Sequence, residues 1–336
     1  MKAIYYILFC TMIQAPVWAQ DTFSIAGLDS LTREVGGAGA SCVDLNMAGF
    51  SDASFISQLL PDTGAINTQA SYLPANQDNA RARMRAGNSP TQIINWLQTN
   101  DVTGDASIRQ YGVVGFSGQQ PSAAAHTGTN ALNYKSHITG HINGFYYSIQ
   151  GNILLGPQVL SNMETNFRNT PGDLACRLMA TLQGANMVGA DTRCSANNTS
   201  SLFSFLKVSK PNDAYGNPSL SLGVITANGD KKEPIDSLQK LFNQARSCQA
   251  TAVNALNDKS DLVWAVYPNP ATHQLLIRTE SQAELPLTII DMLGRNVLNS
   301  VCFGTTLLVD ISTLEDGLYF IQLGDYRPKM FVKCKS

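Results

Sequence analysis

The chain is short of charge. Lys, Arg, Asp and Glu make up 14% of its 336 residues and the net charge is -2, with no basic run. That excludes an electrostatic case for nucleic-acid binding, and no particular charge on a substrate is implied. The surface must instead be rich in Asn, Gln, Ser and Thr. Beyond the N-terminus no apolar stretch approaches the roughly 20 residues that a transmembrane helix needs. No CxxC occurs, which argues against a zinc knuckle or a thioredoxin-like centre. His137 and His141 are four apart, but Gly140 lies between them and no carboxylate follows at useful spacing, so no metal site is read there. No cofactor-binding motif is read elsewhere.

What is present begins with Lys2, an apolar run over 3–13 and the small-residue end Pro16-Val17-Trp18-Ala19, which reads as a signal peptide cleaved after Ala19. Cys10 leaves with it, and Cys42, Cys176, Cys194, Cys248, Cys302 and Cys334 remain. An even set in an exported chain favours disulfides, with pairing inside each of two regions. Cys302 and Cys334 are expected either to pair with each other or both to stay free.

Strand signals cover 22–28 and 34–43 about a polar turn, and pairing them sets Thr22 opposite Ala40 or Ser41. The run Gly36-Gly37-Ala38-Gly39 weakens a strand by propensity and marks close approach of backbone or ligand. Further strands are expected at 64–70, 109–116, 122–127, 146–151, 202–208 and 220–224. Helices are expected at 79–86, from Pro90, from Pro157, after Asp173 and from Pro234. This order predicts a layered α+β domain with helices outside stacked sheets. Polar, patternless sequence over 249–262 reads as a linker, and short strands with turn signals over 263–336 read as a small β-sandwich.

If Thr22 begins the mature chain, its hydroxyl and its own α-amine form a nucleophile and base on one residue. Such an amine titrates at about 7.7 to 8, so part of it is unprotonated at neutral pH. Asn152, where a strand ends, can donate to an oxyanion. Ser41 is the side chain expected beside Thr22, and Gln69, His126 and Arg193 are further candidates for the pocket.

Residues 22 to about 242 resemble an uncharacterised family grouped with the N-terminal-nucleophile (Ntn) hydrolases. The resemblance is carried by Thr22-Phe23-Ser24-Ile25, the 34–41 segment, Ala125-His126-Thr127-Gly128, Gln150-Gly151-Asn152, Asp191-Thr192-Arg193 and Glu233-Pro234-Ile235. It implies a four-layer αββα fold and Thr22 as nucleophile toward a small amide or peptide substrate. Because Gln20 and Asp21 would still precede Thr22 after cleavage at Ala19, that chemistry requires a second cut after Asp21. The rival reading is a surface-displayed binding or structural module that keeps the fold and leaves Thr22 internal.

The segment 263–336 resembles the C-terminal sorting domain of the type IX (Por) secretion system, through Tyr267-Pro268-Asn269-Pro270-Ala271, Asp291-Met292-Leu293-Gly294-Arg295 and Gly317-Leu318-Tyr319-Phe320-Ile321. Its implied partner is the secretion machinery, and its implied destination is the cell surface or the exterior.

Overall fold

A computed structural model of the chain describes residues 22–248, 264–279, 284–292, 294–324, 326 and 328–335. The expected signal peptide, the cut after Asp21 and the expected linker lie outside the described residues. The chain divides into two compact units on either side of Gln249.

In the first unit the elements run β1 (Phe23–Asp29), β2 (Val35–Ser41), α1 (Leu45–Ala48), β3 (Ser57–Leu60), β4 (Gly64–Gln69), α2 (Pro74–Arg85), α3 (Pro90–Thr99), β5 (Gln110–Ser117), β6 (Gln120–Thr127), β7 (Ser136–Ile142), β8 (Phe145–Gly151), α4 (Pro157–Asn169), α5 (Leu174–Gly184), β9 (Phe203–Ser209), β10 (Leu220–Ile225) and α6 (Pro234–Ala245). They form an antiparallel six-stranded sheet, β10-β9-β2-β1-β8-β7, and a four-stranded sheet, β3-β4-β5-β6. Helices α4, α5 and α6 pack on the first sheet, α2 and α3 on the second, and the sheets face each other.

Local chemistry explains most of these boundaries. Asp173 caps α5 by accepting from the Cys176 amide at 3.1 Å, and Ser89 and Gln92 form a reciprocal capping box on α3. Along α5, Leu174, Leu178 and Leu182 are fully buried, each stabilising the unit by about 1.5–3 kcal/mol. Helix α2 starts at Pro74, ahead of the expected 79, because Pro is favoured in the first helical turn. The glycine run on β2 is a place where the protein approaches itself. A Cβ on Gly36 would sit 2.6 Å from Leu178 Cδ1, and one on Gly37 would sit 2.3 Å from Ser57 Oγ.

Strand parity sorts the two faces. Phe23, Ile25, Ala38, Ala40 and Ile149 join the core under the helices. The alternate residues, Ser24, Gly37, Gly39 and Gln150, turn toward the second sheet, from which Asn67, Gln69, Gln110 and Gly112 point back. Many of these inner residues are polar, and all are buried.

The second unit has β11 (Trp264–Tyr267), β12 (Gln274–Thr279), β13 (Leu285–Asp291), β14 (Asn296–Cys302), β15 (Thr306–Asp310), β16 (Gly317–Leu323) and β17 (Lys329–Lys333). They make a three-stranded sheet, β11-β12-β15, and a four-stranded sheet, β14-β13-β16-β17, which share a core that includes Trp264, Leu275, Ile277, Ile289, Ile321 and Phe331.

Candidate functional site

One end of the space between the two sheets gathers most of the candidate residues. Strand β1 pairs with β2 through Phe23 and Ala40, and with β8 through Phe23 and Gly151. One further step sets Thr22 between Ser41 and Asn152. The Thr22 amide donates to Asn152 Oδ1 at 3.2 Å, and the Asn152 amide donates to the Thr22 carbonyl at 3.2 Å. From the other sheet, Gln69 Nε2 donates to the same carbonyl at 2.8 Å. Thr22 is 1% exposed, yet its Oγ1 has no hydrogen-bond partner among the described residues. A buried hydroxyl in that state costs free energy that the fold does not recover locally.

Behind Thr22 lies a chain of neutral amides and hydroxyls. Ser24 Oγ donates to Gln69 Oε1 at 2.6 Å, and Gln69 Nε2 donates to Gln110 Oε1 at 2.7 Å. Gln150 Nε2 donates to Ser24 Oγ at 2.6 Å, and Ser148 Oγ to Gln150 Oε1 at 2.9 Å. Gln110 Nε2 returns to the Gly151 carbonyl at 3.0 Å, beside Asn152. Because these partners lie on both sheets and satisfy one another, the position of the Thr22 backbone is fixed by the whole network.

The Ser41 side is held by ions and sulfur. Ser41 Oγ accepts from the Val43 amide at 3.2 Å and from Arg193 Nη2 at 3.3 Å. Arg193 forks onto Asp191, Nη2 to Oδ2 at 2.6 Å and Nε to Oδ1 at 2.9 Å, and Asp191 Oδ2 also accepts from the Cys42 amide at 2.9 Å. Asp191 is fully buried, whereas the Arg193 side chain is 31% exposed and presents a guanidinium at the rim. The disulfide Cys42–Cys194 joins the residue after Ser41 to the residue after Arg193. A second disulfide links Cys176 and Cys248, while Cys302 and Cys334 are free thiols.

Immediately beyond Asn152, Ile153 has φ 54, a left-handed conformation that a β-branched residue adopts only under constraint. The constraint is visible: its amide donates to the Leu132 carbonyl at 3.1 Å, and its carbonyl accepts from the Thr192 amide and hydroxyl at 3.0 and 3.1 Å. Asn152 and the Asp191–Arg193 pair are thereby tied through one turn.

Thr22, Ser41, Gln69, Asn152 and Arg193 thus come together, and His126 does not. His126 lies across from Tyr111 on β6, on the helix-covered face of the second sheet. Its Nδ1 meets Gln98 Nε2 at 2.6 Å and its Nε2 meets the Ala106 carbonyl at 2.9 Å. Its place in Ala125-His126-Thr127-Gly128 could not reveal which face it takes. Asp191 and the amides Gln110 and Gln150 were not singled out for the site. Among the described residues no group of three or more His, Cys, Asp or Glu side chains could hold a metal ion.

Residues 22–233 match the model of a family of unknown function, DUF1028, and residues 265–334 match the secretion system C-terminal sorting domain. The chain is similar to the crystal structure of protein SPO2555 from Silicibacter pomeroyi, described as of family DUF1028. The identity is 20% over 68% of this chain and 90% of that one, with a TM-score of 0.51. At that identity the likeness concerns the fold. The BSP domain of a biofilm associated protein aligns at 10% identity over 96% of this chain and 53% of that one, but its TM-score of 0.20 carries no argument. No curated protein matches. The sorting domain assigns the protein to the type IX secretion machinery and to the cell surface or the exterior, and no helix among the described residues is long and apolar enough to cross a membrane.

Proposed function

The chain belongs to DUF1028, a family of unknown function, and from that premise we propose that the mature protein is a secreted Ntn-type hydrolase of an amide or peptide bond. We read the order of helices, sheet, sheet and helices as the αββα sandwich of that class. The carrying observation is the Thr22 hydroxyl, buried and unpartnered while its own backbone is gripped by Asn152 and Gln69. A family match whose first residue is Thr22 supports the same reading.

After removal of the signal peptide and a second cut following Asp21, the Thr22 amine is free. Oγ1 attacks the substrate carbonyl carbon as its proton passes to the α-amine. Asn152 Nδ2, with backbone N–H groups, stabilises the oxyanion. Collapse breaks the C–N bond, the α-amine returns the proton to the leaving amine, and water then hydrolyses the ester left on Thr22. Ser41 orients the α-amine, and Arg193 and Gln69 shape the pocket.

The second reading, a displayed binding or structural module with Thr22 internal, is favoured by the 1% exposure of Thr22. Mass spectrometry of the mature N-terminus separates the two. A chain starting at Thr22 that releases amine from a panel of acyl-amides, and loses this in Thr22→Ala, supports the hydrolase. A stable start at Gln20 with no turnover supports the module.

A further inference from the structure

A polar cavity of about 360 Å³ opens where the loop between β9 and β10 meets β3. Lys207, Ser209 and Ser221 line it from the first sheet, Gln58 from β3 of the second, Ser54 from the turn before β3, and Tyr215 and Pro218 from the loop. Its volume is in the range of small-molecule sites. Lys207 pairs with Gly37, four residues before Ser41 on β2, so the cavity lies about 13 Å along the strand from the Thr22 end.

Lys207 is the unusual feature. Its ammonium donates only to neutral oxygens, to the Ser57 carbonyl at 2.6 Å, Ser54 Oγ at 3.2 Å and the Ser54 carbonyl at 3.5 Å. No carboxylate among the described residues pairs with it. Asp52, on the same wall, is occupied by the Ser54 amide and hydroxyl at 2.7 and 2.8 Å. Behind Tyr215, Arg81 donates to its hydroxyl and Arg85 lies over its ring at 4.6 Å, with Arg81 also paired to Asp78 at 2.7 Å. Burial lowers the Lys207 pKa to about 8, with Asp52 partly opposing the shift. A partly buried cation without a counter-ion is expensive, and a bound anion relieves it.

We propose that this cavity binds a small hydroxylated monocarboxylate, with its carboxylate on Lys207 and its hydroxyls on Ser54, Ser209 and Ser221. A single charge is specified because Asp52 on the same wall disfavours a second negative charge. A polar body is specified because the walls are mostly hydroxyl and amide. The inference stands apart from the chemistry of Thr22.

The test is titration calorimetry on the full mature protein with gluconate, glucose and inorganic phosphate as probes. Gluconate should saturate one site and, at pH 8, take up protons as the bound anion restores the charge on Lys207. Glucose should give no saturable heat, and phosphate should bind at least tenfold more weakly. Lys207→Gln should weaken gluconate at least tenfold, and Ser221→Ala, an exposed position on the rim, severalfold without threatening the fold. Thr22→Ala should leave gluconate affinity unchanged. Absence of saturable gluconate binding, unchanged affinity in Ser221→Ala, equal binding of phosphate or glucose, or loss of binding in Thr22→Ala would each overturn the assignment.

Discussion

The two units spend their interiors differently. Between the sheets of the first unit lie Ser24, Asn67, Gln69, Gln110, Ser148 and Gln150, all buried, with two disulfides in the same unit. In the second unit the core residues are almost all apolar, the buried polar side chains among the described residues are Thr279 and Lys333, and both cysteines are free. An apolar core needs only shape and volume to fold. A layer in which Ser24, Gln69, Gln110, Ser148 and Gln150 satisfy one another, while the Asn67 amide has no hydrogen-bond partner among the described residues, costs desolvation and holds the bonded members in one place. The first unit's interior is largely a polar layer between two sheets, and the second's is a nearly apolar core in the sorting domain.

Cutting the sulfur should separate the units most. Removing Cys42–Cys194 by paired Ala substitution should cost the first unit about 5 kcal/mol, because the bond closes a loop of 152 residues. The pair Cys302→Ala and Cys334→Ala should cost the second about 1 kcal/mol, since only Cys302 is a buried group and both are small. Urea unfolding followed by hydrogen exchange, peptide by peptide, measures each unit separately, and equal losses would break the comparison. Next comes Gly112→Val, at about 3 kcal/mol, since even a Cβ there would lie 2.0 Å from Gln150 Oε1. Below it, Gln110→Met should cost about 2 kcal/mol by orphaning the groups it bonds, against about 1 kcal/mol or less for Leu287→Met in the apolar core. The last effect is alkaline. The Lys207 pKa is about 8 folded, below its ordinary 10.5, so between those values the unfolded chain binds more protons and stability rises with pH. Lys207→Gln should flatten that rise in a pH series of urea midpoints.

The elements legible in the sequence were those with punctuation or strict alternation. The hairpin of β1 and β2, the capped α3 and α5, and the proline-started α4 and α6 all had such signals. Strands β3, β7, β11 and β14 did not. Ser57–Leu60 is four residues long, and β7, Ser-His-Ile-Thr-Gly-His-Ile, drew attention only as a pair of histidines because its alternation is of burial and not of apolar and polar residue types. At the site, Thr22, Ser41 and Asn152 were readable because hairpin register and a strand end determine their neighbourhood. The face taken by His126, the fork of Arg193 on Asp191 and the choice of Cys42 with Cys194 depend on contacts far apart in the chain, which local pattern does not encode.

The central claim is that the polar layer of the first unit exists to position Thr22. The most direct measurement is single-turnover mass spectrometry of the secreted protein with an acyl-amide that it cleaves, performed on the wild type, Thr22→Ala and Thr22→Ser. The account predicts a mature chain beginning at Thr22 that gains the acyl mass on its first residue. It predicts partial activity with Ser, which keeps the hydroxyl and drops the methyl, and none with Ala despite near-wild-type stability. A chain that begins at Gln20 and still cleaves the amide, or an acyl group found on Ser41 in place of Thr22, would contradict it.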